Sequence, residues 1–102
     1  SQYMLALAQL LNGETDKSSA TLESCLSDNP NATDVVVLLA HVRLIQGRVA
    51  DAYALYRQIY NGSDSFGEAF WDNVALFEEV LGVDRSNFKL IYDAVCLGAL
   101  DD

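Results

Sequence analysis

Proline is almost missing from this chain, with Pro30 alone among 102 residues. No segment alternates apolar and polar residues between turn signals, so extended strands are not expected and helices can run unbroken. Cysteine and histidine are equally scarce. Cys25 and Cys96 lie at helix-interior positions far apart, and with His41 as the single histidine they lack metal-site spacing. The two thiols read as free and buried in a reducing compartment, the cytoplasm. Positive charge is short as well: six Lys and Arg face fifteen Asp and Glu, a net charge of −9. A surface of that sign repels phosphate, which excludes nucleic acid and anionic membranes as partners. It fits a basic or apolar protein partner, and it also serves simply to keep an apolar domain in solution.

Long apolar runs are absent too. The longest, Val35 to Ala40, leads into His41 and Arg43 and falls far short of the roughly 18 residues a membrane span requires. It reads as a buried helix. No Ser–His–Asp set, phosphate-binding loop or metal constellation is visible. Glu78 and Glu79 are adjacent, so they point to different helix faces and cannot act as an acid–base pair. No enzymatic activity and no cofactor is expected. The chain starts Ser1-Gln2-Tyr3-Met4, without an initiator methionine or a charged leader, and is expected to be a piece of a longer protein.

What is present is a period. Gly13, Gly47 and Gly82 fall 34 and 35 residues apart, each in the same frame. Leu5-Ala6, Leu39-Ala40 and Val74-Ala75 precede them; Leu22, Tyr56 and Ile91 follow at matching offsets. The chain therefore divides into three units of about 1–32, 33–65 and 66–102 forming one domain. Punctuation gives two helices per unit: Gln2–Leu11 and Thr15–Ser27, Asp34–Gln46 and Val49–Tyr60, Ser65–Leu81 and Ser86–Leu100. The third helix is apolar nearly all round and must be contacted on several sides. Ser65 and Glu68 have the spacing of a capping box for the fifth.

The repeat length and these residues together resemble the tetratricopeptide repeat, or TPR, family. The second unit matches best, with Leu39-Ala40, Gly47, Ala52 and Tyr56; Trp71 and Pro30 stand at signature positions of the third and first. The large aromatic expected late in each first helix is missing, replaced by Gln9, Arg43 and Glu78. The resemblance implies an all-α fold, an α-solenoid of three antiparallel helix pairs wound as a right-handed superhelix. It also implies a concave peptide groove on the first helix of each unit. Carried onto this sequence, the groove-facing positions are Tyr3, Leu7, Leu10, Asp34, Val37, His41, Leu44, Ala69, Asp72, Leu76 and Glu79.

That floor is apolar and acid-edged. TPR clamps for acidic chaperone tails need Lys and Arg at these sites, and none stands there. The implied function is a non-catalytic scaffold binding an apolar or basic peptide segment or a partner subunit. The resemblance also extends to small acidic secretion chaperones that hold an export substrate. His41 reads either as a pH-sensitive contact or as a hydrogen-bonded structural residue. Trp71 reads either as an interface anchor or as core. The apolar last helix lacks a solvating cap, so a partner or a second copy is expected to cover it, which makes self-association plausible.

Overall fold

The computed structural model describes residues 1–101. Among them are seven helices, α1 Gln2–Leu11, α2 Thr15–Asp28, α3 Thr33–Ile45, α4 Val49–Ile59, α5 Asp64–Trp71, α6 Val74–Leu81 and α7 Arg85–Leu97, and no strand. The fold is all-α, built from sequentially packed helix pairs. α1 lies against α2, α3 against α4, and α2 against α3, while α7 closes on both α4 and α6.

The first two units repeat in atomic detail. Gly13 and Gly47 take φ of +78° and +82°. Each donates its N–H to the carbonyl three residues back, Leu10 and Leu44. The next residue donates back to Gln9 in one turn and Arg43 in the other. This double bond pattern needs a left-handed residue at its corner, which glycine supplies without steric cost. A Cβ at Gly47 would meet nothing within 4 Å. Gly47→Ala is therefore expected to cost about 1–2 kcal/mol from backbone conformation alone, read as a lowered urea midpoint with an unchanged slope.

α3 is the centre of the molecule. Val35 through Val42 are all buried, on every side of the helix. Polar bonds fix its neighbours around it. Ser18 Oγ donates to the Ala6 carbonyl at 2.7 Å, tying α2 to α1. Arg43, mostly buried, reaches from α3 to Ser19 and Glu23 on α2. No buried side-chain nitrogen or oxygen among the described residues lacks a partner.

The third unit departs from the expectation. Its first helix is not one rod from Ser65 to Leu81 but two pieces, α5 and α6, separated at Asp72-Asn73. Asp and Asn compete with the helical backbone for hydrogen bonds and favour such breaks. Here two long-range contacts hold the break: Asn73 Nδ2 donates to Tyr3 Oη at 2.8 Å, and His41 Nε2 donates to the Phe70 carbonyl at 2.9 Å. The Ser65–Glu68 capping box does not form. Ser65 lies inside α5, its hydroxyl bonded to Ser63, and Asn61 Oδ1 organises the turn by accepting from the Ser63 amide and hydroxyl. Gly82 does end α6, with φ +68°.

Candidate functional site

The eleven positions expected to face a concave groove scatter into five environments. Leu7, Leu10, Val37 and His41 are core residues. The resemblance implies an open floor for them, but α6 packs onto α1 and α5 onto α3, and these positions are covered. Tyr3 is half-buried at this junction. Burial first, and then the nearby charges of Asp34 and Asp72, push its phenol up, against the lowering effect of the Asn73 bond. Asp34, Ala69 and Asp72 do come together, lining a shallow hollow with Thr33, Ser65 and Glu68. Leu76 is half-buried and Glu79 exposed on α6, outside that hollow. Leu44 joins none of these and lines a separate groove near the end of α3.

His41 is a structural residue of the core. It is 1% exposed and boxed by Phe70, Phe77 and Phe88, with ring centroids 4.9, 5.7 and 5.2 Å away. The Phe70 carbonyl can only accept, so Nε2 carries the proton. Nδ1 then accepts from the Tyr56 hydroxyl at 2.6 Å. Phe70 lies in the last turn of α5, where carbonyls have no partner within the helix; the imidazole caps that end. Burial lowers the His41 pKa from 6.5 to about 4, against the opposing pull of the Phe70 bond. Trp71 is partly buried against the core, touching Phe70 and Tyr92, with Arg85 over its ring at 5.6 Å.

The groove at Leu44 is a largely apolar hollow of about 430 Å³, lined also by Val49, Asn87, Leu90, Ile91, Ala94 and Leu100. Its main wall is α7. Phe88, Ile91 and Val95, spaced three and four apart, point inward and are buried. That register leaves Leu90 and Leu97 outside, 69% and 81% exposed. The far wall is set by the chain after α7. Gly98 turns it with φ +64°, and Asp101 is pinned to α4: its carboxylate accepts from Tyr53 Oη at 2.9 Å and from Arg57 Nη2 at 2.6 Å, while the Leu100 amide donates to Tyr53 Oη. The Tyr53 bond, and then Arg57, hold the Asp101 carboxyl below the usual range. Leu100 is thereby fixed at the groove's edge.

Charge is distributed unevenly around these features. All six Lys and Arg are engaged with carboxylates, including Arg48–Asp51, Lys89–Asp93 and Arg57–Asp101 around the groove. Asp34, Glu68 and Asp72 have no such partner among the described residues. The groove rim is electrically balanced, and the excess acid lies elsewhere. Both cysteines are free and half-buried. Among the described residues no three His, Cys, Asp or Glu side chains are grouped to hold a metal ion, and no helix is long and apolar enough to cross a membrane.

No family model, curated protein or solved structure matches the chain. Its own geometry has to carry the functional reading. The groove-lining residues Val49, Asn87, Leu90, Ala94 and Leu100 were not among the expected site positions. The signal that points to them is the spacing of Leu90, Ala94 and Leu97, an apolar stripe on α7 beyond the one its core requires.

Proposed function

We propose that this chain is a non-catalytic protein-interaction module of TPR type, which receives an amphipathic helical segment in the groove between α7 and the α3–α4 turn. The observation that carries the reading is the preformed apolar groove with Leu90, Val49 and Leu100 standing 69%, 48% and 57% exposed at its walls. Exposed aliphatic side chains around a shallow hollow are a liability unless covered. An apolar stripe at spacings of three and four residues on a partner helix matches such a hollow. Lysines flanking that stripe suit a protein of net charge −9, whose field draws cations from a distance. The equivalent turns at Gly13 and Gly47 support the family reading, and the unpaired thiols fit the cytoplasm.

The test is a titration with a synthetic helical peptide carrying leucines at positions i, i+3 and i+7 with lysines on both flanks, followed by fluorescence anisotropy. Saturable binding is expected, at least about tenfold weaker for Leu90→Asp, since a carboxylate would then be buried against leucine. Equal binding by wild type and Leu90→Asp, with helicity unchanged, refutes the groove as the site.

A further inference from the structure

The structure assigns a site of spontaneous covalent modification to the turn between α4 and α5: Asn61 converts there to aspartate and isoaspartate, while the same dipeptide at Asn12-Gly13 is held inert. These are the chain's two Asn-Gly pairs. In such a pair the backbone nitrogen of glycine can attack the side-chain amide carbon of the asparagine before it. Glycine favours the step because no Cβ obstructs the approach and its backbone moves freely. Both pairs are exposed, and both glycines have positive φ, +78° at Gly13 and +75° at Gly62. Exposure and conformation therefore do not separate them. Hydrogen bonding does.

At Asn12-Gly13 the attacking nitrogen is engaged. The Gly13 amide donates to the Leu10 carbonyl at 3.0 Å, flanked by bonds from the Asn12 amide to Ala8 and from the Glu14 amide to Gln9. The Asn12 side chain is tied down as well, its Nδ2 donating to Glu14 Oε1 at 3.1 Å. Bringing the Gly13 nitrogen onto Asn12 Cγ would break the corner that ends α1. Asn61 and Gly62 lie outside both α4 and α5, and among the described residues no backbone carbonyl accepts from the Gly62 amide. The Asn61 side chain is instead prepared for attack. Its Oδ1 accepts from the Ser63 amide at 3.0 Å and from the Ser63 hydroxyl at 2.7 Å. Two donors on the oxygen that turns negative as the nitrogen adds are the arrangement that stabilises a tetrahedral intermediate.

Water balances the reaction. The Gly62 nitrogen gives its proton to hydroxide and bonds to Asn61 Cγ. The bond from Cγ to Nδ2 breaks, and that nitrogen takes a proton from water and leaves as ammonia. A second water opens the cyclic imide. Opening at Cγ gives aspartate in an ordinary backbone; opening at the main-chain carbonyl of Asn61 gives isoaspartate, whose backbone runs through Cβ. Either product adds a negative charge to a chain of net charge −9. Isoaspartate also lengthens the backbone and displaces the acceptor that Ser63 uses, which loosens the entry to α5.

Peptide mapping of the whole chain, aged in mildly alkaline buffer either folded or in urea, tests the assignment. Trypsin puts the two sites on separate peptides, because Lys17 and Arg57 lie between them. Tandem mass spectrometry localises the change from amide to acid, and chromatography resolves the aspartyl and isoaspartyl forms. In urea the two sites are expected to convert at equal rates. In the folded chain Asn61 should convert no more slowly than in urea. Asn12 should fall at least about tenfold behind it, since its nitrogen reacts only after several hydrogen bonds open. Ser63→Ala should slow Asn61 several-fold in the folded chain and leave it unchanged in urea. Equal rates at the two sites in the folded chain, or an Asn61 that converts more slowly folded than unfolded, overturns the inference.

Discussion

Acidification from pH 6.5 to pH 4 is expected to cost the fold about 3 kcal/mol through His41 alone. The folded imidazole titrates at about 4 because burial penalises its charged form, whereas the unfolded one titrates near 6.5. Between those values the unfolded chain binds a proton that the folded chain does not, so stability falls as pH falls. Above pH 6.5 the contribution is constant and fully present; below pH 4 no further loss comes from this group. The window is distinctive. Glu14, Asp84 and Asp101, whose carboxyls are held below their ordinary values, lose their contributions only lower, as pH drops through the usual carboxylate range. Urea midpoints taken across the interval should slope with pH in the wild type. They should be flat above about pH 5 in His41→Gln, which removes the titrating group and leaves only the carboxylates. A wild-type stability independent of pH between 6.5 and 5 would show that the imidazole is solvated in the folded protein.

Phe70→Ala should be the most damaging single substitution, costing about 3–5 kcal/mol. That is a large share of the roughly 5–15 kcal/mol that holds a domain of this size. Phe70 is fully buried. Its ring lies within 4.9 to 6.3 Å of those of His41, Tyr56, Phe66, Trp71, Tyr92 and Phe88. It thus joins α5 to α3, α4 and α7. Truncation would open a cavity at that junction and loosen the imidazole whose Nε2 is bonded to its carbonyl. Differential scanning calorimetry should show a drop in Tm on the order of 10 °C or more, from about 4–8 °C per kcal/mol for small domains. A shift of a few degrees would mean that the aromatic cluster repacks around the gap.

The two predictions concern a part of the molecule that local sequence could not disclose. The turns were legible because glycine at a fixed offset marks a left-handed corner wherever it occurs, and Gly13 and Gly47 form the same pair of bonds. The burial of α3 was legible because Val35 to Val42 leave no polar side for solvent. The split of the fifth helix was not. It depends on Tyr3, 70 residues before Asn73, and on His41, 29 before Phe70, and nothing adjacent to Asp72-Asn73 announces either partner. A repeat pattern extends the geometry of its best unit to every unit, so it implies an open floor at Leu7, Val37 and His41, which are buried where α6 packs on α1 and α5 on α3. The exposed stripe on α7 was visible in the spacing of Leu90, Ala94 and Leu97. What separated it from the core stripe of Phe88, Ile91 and Val95 was only which way the helix was rolled, and long-range packing decides that.

The central claim is that binding belongs to the α7 groove and not to the filled concave side. Amide chemical-shift mapping of the isotope-labelled chain with the leucine–lysine peptide tests it most directly. The largest shifts are expected at Leu44, Val49, Asn87, Leu90, Ala94 and Leu100, with Asp34, Ala69 and Asp72 unmoved. Shifts centred on Tyr3, Asp34 and Asp72, with the α7 amides unchanged, would contradict it.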